Sequence, residues 1–211
     1  MSLNAKKVET GGGKKAALIE IGTYPVRLAQ VIDLGVQTRK PFKGEDKDPI
    51  QMLWVTYELT SEFMKDDEGN DDLERPRWIS ESFPFFNLSA DRAKSTARYL
   101  ALDPSMTCEG NWDQLLGAAG ALTVVHNQAG DRTFANVGSV SPIMKGMVVE
   151  DLKNPSVVFS LEDPDIEIFN ALPDFLQERI KDNINYEGSL LDNRLNGSSS
   201  TAEPPEGNPF G

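Results

Sequence analysis

The chain holds a single histidine, His126, and a single cysteine, Cys108. Two soft ligands are too few for a structural zinc site, and a nucleophilic triad would have to take His126 as its base. His126 ends an apolar run without an evident partner and reads as a half-buried structural residue, while Cys108 suggests no special role. One cysteine also makes no internal disulfide, which fits a reducing compartment. In MKDDEGNDDLE the first position of a calcium loop built around Gly69 would fall on Met64, so the EF-hand reading fails. GGGKK at 11–15 lacks the GxxxxGK[ST] spacing of a phosphate loop and reads as a flexible tether. Asp33, Glu58 and Glu81 are the carboxylates an enzyme with a divalent metal would use, but no pair of acids lies at ligand spacing on one face. The reading is non-catalytic, with no cofactor and no metal.

A different chemistry is suggested by cations interleaved with aromatics. Single-stranded nucleic acid is held by a positive groove that tracks phosphates and by aromatic faces on which bases stack. Arg27 lies opposite Val26 and Leu28 in an alternating run; Arg39, Lys40, Lys43 and Lys47 crowd the segment after it; Trp54 shares a polar face with Thr56 and Glu58. Arg77 and Trp78 fall on opposite faces of a third run, so one of them points outward, and Arg132, Phe134 and Lys145 mark the last hairpin and its exit. Arg27, Lys40, Lys43, Trp54, Arg77, Arg132, Phe134 and Lys145 are the candidate nucleic-acid-binding residues. The competing reading is that aromatics plug a small core, and it is favoured for Phe83, Phe85 and Phe86. For Trp54 and Phe134 both readings stay open. Near the end, AEPPEGNPFG sets Pro209 and Phe210 beside acids, a pattern suited to docking in a basic pocket of a partner protein, with an ordinary tail as the alternative.

The elements that must position these residues follow from periodicity. GTYPVRLAQVIDLGVQ alternates with Tyr24, Val26, Leu28, Gln30, Ile32 and Leu34 on one face, and QMLWVTYELTSEF with Leu53, Val55, Tyr57 and Leu59 on one face. Residues 64–76 form an acidic turn or excursion, followed by a third strand in RWISESFPFF that ends at Pro84. Ser89 can cap a helix in ADRAKSTARYLAL, with Ala93, Ala97, Leu100 and Ala101 at helical spacing. A short helical turn in NWDQLLG precedes a hairpin, GALTVVHN and DRTFANVGSVSP, turning at 128–130. Three strands, a helix and two strands predict a mainly β fold: a five-stranded Greek-key barrel of the OB type with the helix between strands three and four. Beyond it, IFNALPDFLQERIKDNI predicts one C-terminal helix carrying Leu172, Leu176, Ile180 and Ile184.

In 211 residues, 39% hydrophobic and 26% charged, one domain with tails is expected, and no apolar run approaches the roughly 20 residues of a membrane helix. The start of the chain lacks the apolar stretch of a secretory signal, so an intracellular protein without a membrane partner is expected. The net charge of −12 argues against a nucleic-acid partner until its distribution is read. Residues 151–211 carry twelve acids and four bases, and residues 66–74 carry six more acids. Residues 1–44 instead hold eight bases against three acids. The division expected is a flexible basic arm (1–19), the OB domain (20–146), an acidic segment with a short helix (147–190), and a disordered acidic tail (191–211).

IGTYPVRLAQVIDLGVQ, LLGAAGALTVVHNQAGDRTFANVGSVSPIMKG and LPDFLQERIKD resemble a family of bacteriophage single-stranded DNA-binding proteins with an OB fold, over about residues 20–185. The resemblance implies a protein that coats and protects single-stranded DNA in phage replication or recombination, in the cytoplasm of the infected bacterial host. It also implies an acidic tail that recruits replication or recombination proteins or occupies the groove when DNA is absent. The tail here is sparsely acidic and has Gly211 after Phe210, whereas replication-type tails usually end in the aromatic itself. The alternative function is a virion or assembly protein that uses an OB-like barrel for protein contacts.

Overall fold

The computed structural model describes residues 17–197 apart from Phe42. The first 16 residues of the expected arm, and the expected docking residues Pro209 and Phe210, lie outside them. Five strands run β1 (Gly22–Gln37), β2 (Ile50–Lys65), β3 (Asp71–Pro84), β4 (Ala119–Ala129) and β5 (Arg132–Ser141). Antiparallel pairing orders them β3-β2-β1-β4-β5 in a curled half-barrel sheet. A short β6 (Val157–Phe159) joins β1 in parallel at Gln30–Ile32, next to the stretch where β4 pairs with Gly22–Arg27. Helix α1 (Lys94–Leu102) and one 3₁₀ turn (Asp113–Leu115) lie between β3 and β4, and α2 (Ile166–Ala171), α3 (Asp174–Lys181) and α4 (Leu190–Asn196) follow β6.

The concave face of the sheet buries Val26, Leu28, Val31, Val55, Tyr57, Leu59, Phe83 and Leu122 against Tyr99 and Trp112. A second core lies on the opposite face, where Ile32 and Leu34 meet Phe159, Phe169, Leu176, Ile180 and Leu191. The expected single face of β1 is therefore corrected. In the pairing with β2, Leu28 faces Tyr57 and Gln30 faces Thr56, leaving Ala29 as an extra residue. That bulge reverses the alternation, so Val31 joins Val26 and Leu28 while Ile32 and Leu34 turn to the other core.

Four further expectations change. The acidic run is not an excursion from the strands: β2 and β3 pair as far as Lys65 and Asp71, and the tip is a turn in which Asp66 accepts the backbone N–H groups of Glu68 and Asn70. Asp66 is held below the usual carboxylate range, the Asn70 N–H contributing most. Helix α1 starts after Ala93 without a side-chain cap, and it buries Ser95, Arg98, Tyr99 and Leu102 while Ala97 and Leu100 are exposed. An ion pair of Arg98 with Glu81 fixes that face. The predicted C-terminal helix is two helices with Pro173 between them, and Ile184 lies beyond them half exposed. The expected tail from 191 instead begins in helix α4, capped by Ser189 and anchored by the fully buried Leu191.

Candidate nucleic-acid interface

β3 and β5 end the strand order on opposite sides, and the curl of the sheet brings them face to face. Arg98 bridges them: Nε donates to Glu81 Oε1 at 2.7 Å and Nη2 to the Gly138 carbonyl at 3.3 Å. Gly138 has no room for a side chain, because a Cβ there would come within 2.8 Å of Val125. Further along the seam the two strands part, and a groove of about 320 Å³ opens between Arg77–Ser80 of β3 and Phe134–Ala135 of β5.

Two partly exposed aromatics are among the residues that line this groove, Trp78 at 40% and Phe134 at 45%. Ile79 and Phe83 point into the core, so strand alternation sends Trp78 outward. Its indole N–H donates to Glu58 Oε2 at 3.0 Å, which holds the ring against β2. Phe134 lies opposite Asn127 beyond the part of β4 that pairs with β1, and Arg132 two residues away shares its side of β5.

The groove has a floor made by the segment before β1. Arg77 donates to the Ala17 carbonyl, Leu18 lines the opening, and Ile19 is buried in the concave core. His126 donates Nε2–H to the Ile19 carbonyl at 2.7 Å, so the single histidine has a backbone partner that periodicity does not reveal. Tyr24 donates its hydroxyl to the Glu20 carbonyl at 3.0 Å. Burial, then the nearby Glu62 and Glu20 carboxylates, raise the Tyr24 phenol above its ordinary pKa. Of residues 17–19, expected in the flexible arm, Ile19 is buried and the Ala17 carbonyl accepts from Arg77, while Ala17 and Leu18 are exposed.

The expected site residues separate into groups. Arg77 and Phe134 meet in the groove, and Arg132 sits at the end of the same strand. Arg27 lies on the convex face and donates to the carbonyls of Gly117, Val149 and Glu150 and to the Asp151 carboxylate. Trp54, also convex, is half-buried with its ring edge-on to Phe175 of α3, centroids 5.5 Å apart, and its Nε1–H on Thr56. Lys40 and Lys43 are exposed in the β1–β2 connection, Lys43 at φ 54°, and Lys145 is exposed after β5; none of the three lines the groove. Trp78 is the groove residue absent from the expected set, although its outward parity beside Ile79 was the available signal.

The three carboxylates considered for an enzyme serve separate bonding sets. Asp33 accepts from the Gly35 N–H and Gln51, Glu81 from Arg98 and Lys94, and Glu58 from Trp78, Lys153 and Asn154. Among the described residues no group of three or more His, Cys, Asp or Glu is placed to hold a metal ion, and no helix is long and apolar enough to cross a membrane. A larger cavity of about 460 Å³ lies between the β2–β3 hairpin and residues 150–153. Its charged lining is Glu58, Glu150, Asp151 and Lys153, which is unsuited to phosphate. No known family model matches the chain, and no curated protein matches its sequence.

Proposed function

We propose that the protein is a non-catalytic single-stranded DNA-binding protein and that the groove between β3 and β5 is its site. The observation that carries this reading is one groove lined by Arg77 together with two partly exposed aromatics, Trp78 and Phe134. Aromatic faces supply sequence-tolerant stacking and a cation supplies phosphate attraction. The strand order β3-β2-β1-β4-β5, with α1 between β3 and β4, supports a Greek-key barrel of the OB type, a fold that binds oligonucleotides across its strands and loops. The resemblance of residues 20–185 extends the proposal to coating DNA in phage replication or recombination, in the host cytoplasm, with a tail that meets partner proteins.

Fluorescence-anisotropy titration of oligo-dT at two salt concentrations, with matched duplex as control, tests the binding class. Tight single-strand binding that weakens with salt is expected. Trp78→Ala and Phe134→Ala are each expected to weaken it by about 1–3 kcal/mol, roughly five- to 150-fold. Trp54→Ala, which removes the contact with Phe175, is expected to lower stability and leave the affinity of the folded protein within about twofold. Absence of binding in folded full-length protein would leave the barrel as a protein-contact module, the virion or assembly reading.

A further inference from the structure

The cavity between the β2–β3 hairpin and the strap at 150–153 has a volume of about 460 Å³, within the range of ligand sites. It coincides with a break in the hairpin ladder. Pairing jumps from Leu59 and Arg77 to Phe63 and Pro76, and then to Met64 and Asp72, so 60–62 of β2 and 73–75 of β3 have no register partner. The apolar lining is Phe63, Leu73, Pro76 and Leu152. None of the four belongs to the concave core or to the convex one, and Leu73 is 58% exposed. Apolar side chains gathered at one opening and used by neither core form the kind of patch that a partner covers.

The surrounding charge selects that partner. Residues 62–76 carry seven acids and two bases, and residues 149–153 carry two acids and one base. The three bases are already held within the region, Lys65 by Asp71, Arg75 by Asp72 and Lys153 by Glu74. Arg27 offsets one further acid, Asp151. Glu58, fully buried in the cavity wall, accepts four N–H groups and enters no ion pair among the described residues. The excess is negative, so phosphate-bearing ligands are repelled and cations are attracted.

We propose that this cavity is a docking site for a basic segment of a partner protein. One large apolar side chain of the segment enters between Phe63, Leu73, Pro76 and Leu152, and the lysines or arginines beside it face Glu150 and the hairpin carboxylates. The site is separate from the groove between β3 and β5, and the assignment does not depend on DNA binding there.

The test is fluorescence-anisotropy titration of the full chain with labelled pentapeptides that carry Leu, Phe or Trp between pairs of lysines or of arginines. The controls are the same peptides with serine at the centre and with glutamates on the flanks. At least one basic apolar peptide is expected to bind, and serine at its centre to weaken it roughly tenfold. Leu73→Ser, at an exposed position that leaves the fold intact, is expected to weaken it by a similar factor. Glu150→Gln is expected to weaken it about two- to fivefold, with Glu178→Gln, an exposed acid of α3, unchanged as the charge control. Amide shifts on titration are expected at Phe63, Leu73, Leu152 and Lys153. Failure of every basic apolar peptide to bind would overturn the assignment. Equal affinity for the serine peptides, or undiminished affinity in Leu73→Ser, would overturn it too, because charge alone would then hold the peptide. Shifts confined to the hairpin tip at 66–70 would have the same force.

Discussion

Arg27 of β1 and Glu58 of β2 are register partners across the sheet, and each makes hydrogen bonds with the strap that joins β5 to β6. Arg27 donates to the Glu150 carbonyl at 2.6 Å and the Asp151 carboxylate at 2.9 Å. Glu58, fully buried, accepts the Lys153 N–H at 2.7 Å, Asn154 Nδ2 at 2.7 Å, the Asn154 N–H at 3.3 Å and the Trp78 indole at 3.0 Å. Two opposite charges on the convex face thus fasten a connection that has few apolar anchors of its own, and one of them also orients a groove aromatic.

Glu58→Gln keeps the volume of the side chain but turns an amide NH₂ toward N–H donors. In its better orientation the amide oxygen keeps Asn154 and the Trp78 indole, and the Lys153 N–H loses its acceptor, so a loss of about 1–3 kcal/mol in urea unfolding is expected. Residues 149–154 should become sensitive to protease in the native state, and the emission of Trp78 should shift to the red. Wild-type stability together with an intact strap would show that the cluster is replaceable by solvent.

The Arg98–Glu81 pair is expected to behave as a buried ion pair, since the two side chains are 6% and 8% exposed. Arg98→Met leaves Glu81 with Lys94, half exposed at 3.3 Å, and with the Tyr57 hydroxyl at 3.4 Å. A cost of about 3–5 kcal/mol is expected for the single change, and adding Glu81→Leu should restore more than half of it because no uncompensated charge remains. Additive losses in the double-mutant cycle would mean that the two residues act separately.

The sequence makes the strands legible because alternation survives where one face is buried: Leu53, Val55, Tyr57 and Leu59 lie in the concave core as their spacing requires. It conceals the bulge at Ala29, since no glycine or proline marks it and the register with β2 creates it. It conceals the buried face of α1, because a polar residue, Arg98, turns inward to meet Glu81 on another strand. Arg27 and Trp54 carry the right chemistry for a phosphate and a base, but the strap and α3 cover the convex face on which alternation puts them. Arg77 and Phe134 come together only when the sheet curls, which no local pattern records.

Gly35 marks where the C-terminal helices meet β1. Its φ is +70°, and a Cβ would stand 2.4 Å from Asn183 Cγ. Asn183 is buried, and its Oδ1 accepts the Val36 and Asn185 N–H groups, so it has little freedom to retreat. Gly35→Ala combines left-handed strain with a collision, and a loss above about 1 kcal/mol is expected. Hydrogen exchange should locate the loosening in α3 and the Ile184–Tyr186 segment. Uniform loosening of the whole sheet would place the effect elsewhere.

Asp103 contributes to the acid dependence. It follows α1, is buried, and its carboxylate accepts the Cys108 N–H at 2.8 Å and the Thr107 N–H at 2.9 Å, together with the Thr107 and Tyr99 hydroxyls. These donors, the Cys108 N–H foremost, hold its carboxyl below the usual range. The unfolded carboxyl titrates near the ordinary value of about 3.9. Above that pH both states are ionised and the stabilisation is complete; as the pH falls below it the unfolded chain takes up the proton first, and the contribution is lost down through the lower folded value. Urea unfolding between pH 2.5 and 7 should therefore show an acid limb that flattens in Asp103→Asn, a variant less stable than wild type at neutral pH. Parallel curves for the two proteins would assign the acid limb to other carboxylates.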